Sequence, residues 1–405
     1  MTGPGPSGPL GHVRVLELSR VLAGPWAAQT LADLGADVIK VERPGTGDDT
    51  RTWGPPWAGE ESAYFLSTNR GKRSVTIDFE RPEGQELVRR LASQADVVIE
   101  NFKVGGLRKY GLDFDSLHAL NPRLVYCSVT GFGQDGPYAA RAGYDFMIQG
   151  MGGLMSITGQ PDGEPGGGPV KVGVAVTDVF TGLYAAIGIM GALAHRDRTG
   201  VGQWVNLALL DVQVAVLANQ GMNYLVSGNA PKRLGNAHPN IVPYQAFPTR
   251  DGHLILAVGN DGQFSRFCAA AGRPELATDE RFATNPQRVA HRKELVAVLE
   301  EVIRTRDTAD WLKALEPLGV PCGPINDLAA VFADPHVQAR GLRQELQHAT
   351  AGTVPTVASP IRYSATPIEH TLAPPPLGAH TDEVLGGQLG LCAGDIEELR
   401  SKGVI

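Results

Sequence analysis

Residues 13–42 contain the pattern that most restricts the fold of this chain. Two short β-branched runs, VRVLEL (13–18) and ADVIKVE (36–42), flank a helical stretch that opens with Pro25 and closes on Gly35. Proline at the start of a helix and glycine just past its end are typical helix boundaries. Strand, helix and strand in this order form a β-α-β unit, so the sequence predicts a parallel sheet.

Further strands are predicted at 95–101 and 123–131, and helical stretches around 83–94 and 113–120 precede them. Strands that alternate with helices favour a doubly wound α/β domain. In such a sheet, ligands bind beyond the carboxyl ends of the strands. These predicted ends are residues 19–24, Glu42 with Arg43, Asn101 and Thr130.

The remaining sequence predicts a second, smaller α+β domain. We expect residues 1–200 to form the first part of a large domain, 201–224 a linker helix, 225–328 the small domain, and 329–405 a return to the large domain. The small domain has a hairpin pattern, YQAFPT and HLILAVG, followed by helical stretches at 261–271, 289–303 and 308–317. Residues 150–173 are rich in glycine and predict an irregular, mobile segment, and Asp395 with Glu398 predict a capped closing helix.

Composition and charge exclude several classes of protein. The formal charge is −7, which argues against a nucleic-acid partner, and the four cysteines lack the spacing of a metal or redox site. No ATP-binding, nicotinamide-binding or serine-hydrolase motif is present, and the histidines are interpreted as surface or structural residues rather than catalytic ones. We therefore expect a cytoplasmic enzyme without a metal, a tightly bound cofactor or a membrane partner.

Asp178 is the only charged residue among the 23 residues from Val172 to Ala194. Residues 174–194 are long enough to suggest a membrane span, but they are interpreted as a buried strand, turn and helix. A carboxylate at the start of a helix can cap the helix, contributing about 1 kcal/mol. The same position gathers backbone amides around a carboxylate that could act as a nucleophile. Both interpretations remain open on spacing alone.

Cations are concentrated in residues 69–73, which read Asn-Arg-Gly-Lys-Arg. Such a run is often a solvated loop, but arginine and lysine together also suit phosphate groups. Arg43, Arg108 and Lys109 add cations near the predicted strand ends. A multiply phosphorylated ligand such as coenzyme A (CoA) would contact all of these groups.

Several blocks along nearly the whole chain together resemble the class III CoA transferases, the formyl-CoA transferase and carnitine CoA-transferase family. They are RVLAGPWAAQTLADLGADVIKVERPGTGDDTRTW, NRGKRSV, ENFKVGGL, SVTGFGQDGPYAARAGYD, GLMSITGQPDG, GVAVTDVFTGLYAA, GVPCGPIND and PPPLGAHTDEVL. The resemblance implies a Rossmann-like large domain built from both termini, a smaller domain, and an interlocked homodimer.

The resemblance also implies the site. Asp178 matches the family's nucleophile, which attacks acyl-CoA to give an aspartyl anhydride and then an aspartyl-CoA thioester. Asp145 matches a second acidic residue of the family's site. The implied CoA contacts are Arg43, Ile77, Asn101, Lys109 and Tyr144, with Lys72 and Arg73 as phosphate neighbours.

Two other activities and the choice of substrate are weighed against this interpretation. The family includes α-methylacyl-CoA racemases, whose catalytic histidine would stand where this chain has Tyr144, and a CoA-binding protein without catalysis is a third possibility. Leu22 replaces a glutamine of formyl-CoA transferase, which argues against oxalate. Two blocks, GTGDDTRTWGPPW and HPNIVPYQAFPTRDG, are similar to members that move CoA from succinyl-CoA to a C4–C6 dicarboxylate such as glutarate. Arg20, Arg51 and His238 are candidates for the distal carboxylate.

Overall fold

The structure is a computed structural model that describes residues 8–405. Within that range the strands are β1 (Arg14–Glu17), β2 (Asp37–Glu42), β3 (Trp57–Ala58), β4 (Glu61–Ser62), β5 (Lys72–Thr76), β6 (Val97–Glu100), β7 (Val125–Thr130), β8 (Trp204–Ala208), β9 (Tyr244–Pro248), β10 (His253–Ala257), β11 (Cys322–Pro324), β12 (Arg343–His348) and β13 (Gly352–Val357).

The α-helices of the same range are α1 (Ala23–Asp33), α2 (Ala63–Thr68), α3 (Pro82–Gln94), α4 (Phe114–Leu120), α5 (Asp145–Met151), α6 (Leu154–Ile157), α7 (Val176–Thr199), α8 (Leu209–Ala215), α9 (Ala218–Ser227), α10 (Asp261–Ala270), α11 (Asn285–Ala290), α12 (Arg292–Ile303), α13 (Thr308–Leu315), α14 (Leu328–Ala333), α15 (Pro335–Ala339), α16 (Thr381–Gly387) and α17 (Ala393–Ser401). Short 3-10 helices lie at Asp49–Thr52, Arg108–Tyr110, Pro274–Ala277 and Glu316–Leu318.

The described chain folds into two compact units. The large unit comprises residues 8–154, Val172–Met222 and Pro335–Ile405, and the small unit comprises Met155–Lys171 and Asn223–Asp334. Two expectations need correction. The glycine-rich residues 155–171 group with the small unit, and residues 201–224 are not a linker helix, because they contain β8, α8 and part of α9.

A six-stranded sheet with the order β5-β2-β1-β6-β7-β8 organises the large unit, and all of its neighbouring strands are parallel. Counted along the chain this order is 3-2-1-4-5-6, which is found in doubly wound sheets that bind dinucleotides. The order reverses between β1 and β6, so a crevice is expected at the carboxyl ends of these strands. The predicted parallel α/β sheet is confirmed.

Helices cover both faces of this sheet with apolar side chains. One face packs against α3, α4, α16 and α17, and the other packs against α1, α5 and α7. Small residues allow α7 to approach α1 closely, since a Cβ atom on Gly182 would lie 2.7 Å from the carbonyl oxygen of Ala23. The second turn of α7 therefore lies against the start of α1.

The α7 helix begins directly after an irregular segment, so the strand predicted before Asp178 is wrong. Among the described residues, α7 alone is long and apolar enough to cross a membrane, with a mean hydropathy of 1.5, which is weak evidence by itself. One face of α7 is buried in the large unit and includes Ala185, Ile189 and Arg196. Arg196, in the last turn of α7, pairs with Asp96 at 2.6 Å.

The small unit contains an antiparallel sheet with the order β11-β10-β9. The β9-β10 hairpin is confirmed, and α10, α12 and α13 pack on the sheet through Phe267, Leu299 and Trp311. In the large unit, the closing helix α17 has a capping box made by Cys392 and Asp395 rather than the predicted pair of Asp395 and Glu398.

Candidate active site

A cavity of about 460 Å³ lies in the large unit where the strands of the parallel sheet end. Its lining comes from the loops after β1, β2, β5, β6 and β7, from residue 209 after β8, and from Asp178 on α7. A parallel sheet brings the carboxyl ends of its strands to one edge, which explains why segments distant in sequence meet here. The predicted ligand-binding edge is therefore the edge that carries a cavity.

Asp178 is the third residue of α7, and a carboxylate from another helix organises its surroundings. Asp145, the first residue of α5, accepts hydrogen bonds from the backbone amides of Thr177 (2.8 Å) and Asp178 (3.2 Å) through Oδ1. Its Oδ2 atom accepts a hydrogen bond from Gln149 Nε2 at 2.6 Å. Asp145 thus caps α7, a role that leaves the Asp178 side chain free to face the cavity.

The electrostatic environment makes Asp178 an unusual carboxyl group. Burial, and secondarily the negative charge of Asp145, raise the pKa of Asp178 to about 7. A carboxylate with a raised pKa is a stronger base and nucleophile than an ordinary aspartate, and in a cleft it is a candidate for chemistry.

A buried ion pair supports the loop after β1. Lys40 Nζ lies 3.2 Å from Glu17 Oε1 and 2.9 Å from Asp48 Oδ2, and all three side chains are fully buried. Burial alone would lower the pKa of Lys40, but the negative charges of Asp48 and Glu17 outweigh the effect of burial and raise that pKa above its usual value. Asp48 also accepts a hydrogen bond from the amide of Val21 at 3.2 Å.

Val21 has a φ of 72°, a left-handed conformation that is an outlier for a β-branched residue. Such backbone strain persists only where the surrounding contacts enforce it. Beside Val21, the side chain of Asn101 bonds both backbone groups of Arg20, at 2.9 and 2.7 Å. The loop between β1 and α1 is therefore fixed from two sides in a shape that lines the cavity next to Asp178.

Five of the predicted CoA contacts line the cavity: Arg43, Ile77, Asn101, Lys109 and Tyr144. Arg43, Lys109 and Tyr144 are exposed, whereas Ile77 is buried. Lys109 Nζ lies 4.4 Å from the centre of the Tyr110 ring, and interaction with that tyrosine raises the pKa of Lys109. The structure thus brings together groups that are up to 101 residues apart in the sequence, Arg43 and Tyr144.

The cations of residues 69–73 are not in the cavity, and the structure assigns them internal partners. Lys72 is fully buried, with Nζ 2.9 Å from Glu17 Oε2, and burial lowers the pKa of Lys72 to about 8. It has no surface through which to contact a phosphate. Arg73 pairs with Asp37 at 2.6 Å and with Glu383 at 2.9 Å.

Arg70 and Arg108 complete this correction. Arg70 is buried against Asp33, with Nη2 and Oδ2 2.5 Å apart, so residues 69–73 are not a solvated loop either. Arg108 is three quarters exposed and pairs with Asp113 and Asp115, each at 3.4 Å, outside the residues that line the cavity.

The residues considered for a distal carboxylate are also engaged elsewhere. Arg51 is buried between Glu42 (2.8 Å) and Glu61 (3.2 Å). Arg20 lines the cavity but pairs with Asp49 at 3.0 Å. His238 belongs to the small unit and is not among the residues that line this cavity.

Sequence reasoning missed three residues of the site region. Asp48 supports Val21, and Arg141 lines the cavity without a carboxylate partner in residues 8–405. Tyr64, on α2, has its pKa raised to about 12 by burial and then by the charge of Asp178. Asp48 lies in the block GTGDDTRTWGPPW, and Arg141 lies in the block SVTGFGQDGPYAARAGYD that also holds Tyr144 and Asp145, but neither block assigned these two residues a role. Tyr64 lies outside the blocks that carry the resemblance.

Comparison with known proteins agrees with this geometry. Residues 10–381 match the model of CoA-transferase family III. The chain belongs to this family. It is therefore a CoA-transferase, and the resemblance inferred from its sequence blocks is confirmed.

Relatives of this CoA-transferase are similar over most of their lengths. Succinate--glutarate CoA-transferase from Agrobacterium fabrum is 57% identical over 93% of this chain and 95% of its own. Succinyl-CoA:glutarate CoA-transferase from Homo sapiens is 45% identical over 98% of this chain and 90% of its own. A solved CaiB/BaiF family protein from Brucella suis superposes with a TM-score of 0.83 at 55% identity, covering 94% of this chain and all of that one.

Proposed function

We propose that this transferase moves CoA from succinyl-CoA to a C4–C6 dicarboxylate such as glutarate, with Asp178 as the nucleophile. The observation that carries this proposal is the Asp178 carboxyl group, which faces a strand-end cavity with a raised pKa and a backbone amide held by Asp145. The names of the relatives from Agrobacterium fabrum and Homo sapiens support the choice of succinate and glutarate.

The reaction would proceed through two kinds of covalent intermediate. The Asp178 carboxylate attacks the thioester carbonyl of succinyl-CoA, a C–O bond forms, the C–S bond breaks, and CoA leaves as a thiolate. The thiolate then attacks the aspartyl carbonyl of this anhydride, which releases succinate and leaves an aspartyl-CoA thioester. A glutarate carboxylate attacks the carbonyl of that thioester, the C–S bond breaks, and an aspartyl-glutaryl anhydride forms with release of CoA thiolate. The thiolate finally attacks the glutaryl carbonyl, the anhydride C–O bond breaks, and glutaryl-CoA and the free Asp178 carboxylate result.

The overall reaction exchanges one CoA thioester for another of similar energy, so it needs no ATP and no resident cofactor. Succinyl-CoA and glutaryl-CoA are then substrate and product of one site. Covalent catalysis by Asp178 divides the transfer between them into easier steps. A carboxylate held in a partly dehydrated cavity is more reactive than one in water. The exposed Arg43 and Lys109 would contact the phosphates of CoA.

The racemase alternative requires a second acid or base opposite Asp178. Among the described residues that line the cavity there is no histidine, and Tyr144 occupies the position where a racemase would have one. This composition favours transfer over racemisation.

A homodimer is part of the proposal, and α7 supplies its support. Phe180, Leu183, Tyr184 and Ile187 are between 37% and 59% exposed and recur at helical spacing on one face of α7. A continuous exposed apolar stripe is typical of a protein interface. We expect light scattering to give the mass of a dimer, and Ile187→Glu to weaken it. A monomeric parent protein would contradict the dimer.

A panel of acids tests the proposed activity. Purified protein is incubated with succinyl-CoA and one acid at a time: glutarate, another dicarboxylate or a monocarboxylate. The CoA products are identified by mass spectrometry. Glutaryl-CoA should form with release of succinate, and Asp178→Asn should abolish it. Asp211→Asn, an exposed aspartate on α8, is the matched control and should retain the activity. If the parent protein forms no CoA thioester of any added dicarboxylate, the proposal is refuted.

A further inference from the structure

Arg141 is a cation of the cavity that has no counter-charge in the part of the chain that the structure describes. Its guanidinium group lies 5.0 Å from the centre of the Phe132 ring and 4.6 Å from that of Tyr138. Nη2 lies 3.8 Å from the Met151 sulfur, which is a weak acceptor. Two aromatic rings thus hold a planar cation in place while its hydrogen-bond donors lack an anionic partner.

The other cations that line the cavity differ from Arg141 in partner or in location. Arg20 pairs with Asp49, and Lys40 is buried with Glu17 and Asp48. The remaining cations lie in the loops after two other strands: Arg43 follows β2, and Lys103 and Lys109 follow β6.

The sheet order separates Arg141 from Arg43, whereas Lys103 and Lys109 follow β6, the strand next to β7. β2 and β7 are three strand positions apart in the order β5-β2-β1-β6-β7-β8, which is about 14 Å at the usual strand spacing. Arg43 follows β2 and Arg141 follows β7. A CoA molecule whose phosphates bind near Arg43 would therefore extend its thioester toward β7 and Asp178.

Arg141 belongs to the loop that connects β7 to α5, the helix that positions the nucleophile. Its loop leaves β7 and turns so tightly that a Cβ atom on Gly143 would lie 2.5 Å from the Cα atom of Gly131. The loop then leads into α5, where Asp145 binds the backbone amide of Asp178. The α7 helix packs its apolar face onto the part of the sheet that includes β7. The loop that carries Arg141 is thus continuous with α5, the helix whose Asp145 positions Asp178.

We propose that Arg141 binds the distal carboxylate of the dicarboxylate substrates and so determines specificity. This inference rests on the proposed function, in which succinyl and glutaryl groups are attached to Asp178 in turn. Both groups end in a free carboxylate, so one guanidinium group can serve the donor and the acceptor. Arginine suits this task because its donors match both oxygens of a carboxylate. A monocarboxylate would leave the cation unpaired.

Arg141→Met and Arg141→Lys, with a pair of acceptors, test the proposal. Glutarate and its monoamide differ only in the distal group, because the amide has almost the same shape without the charge. We expect Arg141→Met to lower kcat/KM for glutarate about 10- to 100-fold, as for the loss of a charged hydrogen bond. The kcat/KM for the monoamide, which in this mechanism reports only the steps after aspartyl-CoA has formed, should change little, and Arg141→Lys should restore part of the lost activity with glutarate.

Arg43→Met is the matched control, since it removes an exposed cation of the same cavity at the end predicted for phosphates. It should weaken CoA binding and lower the transfer to both acceptors by the same factor. CoA affinity, measured by calorimetry, should remain unchanged in Arg141→Met, which also shows that this variant is folded.

The outcomes separate this inference from the function on which it rests. If Arg141→Met uses glutarate as well as the parent enzyme does, or loses glutarate and monoamide transfer by equal factors, the specificity role is refuted while the transferase stands. If the parent enzyme forms no dicarboxyl-CoA from succinyl-CoA, the proposed function itself has failed.

Discussion

Asp145→Asn should shift the pH dependence of the reaction toward acid. The nucleophile must be ionised to attack, and the pKa of Asp178 is about 7 because of its burial and, secondly, the charge of Asp145. At about pH 6 only about one tenth of such a group is ionised, whereas an ordinary aspartate is almost fully ionised. The parent enzyme should therefore lose activity about tenfold per pH unit below about pH 7.

The asparagine variant removes the second cause of the raised pKa and leaves the first. Its Oδ1 atom can still accept the hydrogen bonds from the amides of Thr177 and Asp178, but its amide group replaces the oxygen that accepts from Gln149. The pKa of Asp178 should fall from about 7 without reaching its ordinary value, because burial remains. Relative to its own plateau, activity at about pH 6 should rise from about one tenth toward full activity.

The assay is kcat/KM for succinyl-CoA with glutarate, from about pH 5 to about pH 9, since this parameter reports the ionisation of the free enzyme. Asp211→Asn serves as the control and should leave the acid limb unchanged. An acid limb that stays in place in Asp145→Asn would refute the coupling between the two carboxylates. A shift toward alkaline pH would also contradict it.

Two further predictions concern stability. The pKa of Asp178 is raised in the folded state, so its ionisation progressively destabilises the fold as the pH rises from about 3.8, the pKa of the unfolded state, to about 7. Asp178→Asn should therefore raise Tm more at about pH 8 than at about pH 4. An equal gain in Tm at both pH values would contradict the raised pKa. Arg51→Met leaves the buried Glu42 without its partner, so urea unfolding should show a loss of about 3–5 kcal/mol; a loss below about 1 kcal/mol, as for a surface pair, would contradict the burial of this pair.

The parallel sheet and its binding edge were predictable because they depend on local patterns. β-branched runs that alternate with helical stretches are visible in a single sequence, and the position of strand ends follows from them. Asn101 could be placed at this edge for that reason. The strand β8 was missed because WVNLA has no flanking pattern that distinguishes it from the helices around it.

The partners of charged side chains could not be predicted, because they are distant in sequence. Lys72 pairs with Glu17, and Arg70 pairs with Asp33. These ion pairs form only because β1, α1 and β5 pack together in the fold. The same limit applies to Asp178, whose spacing suggested a helix cap. The cap is instead Asp145, which lies 33 residues earlier.

The most direct measurement of the central claim is chemical modification of Asp178 during turnover. Protein incubated with succinyl-CoA and hydroxylamine, then digested and analysed by mass spectrometry, should carry a hydroxamate on the peptide that contains Asp178. The modification should require succinyl-CoA and should be absent from Asp178→Asn. An active enzyme whose Asp178 stays unmodified, or an Asp178→Asn variant that still transfers CoA at the parent rate, would contradict a covalent intermediate at this residue.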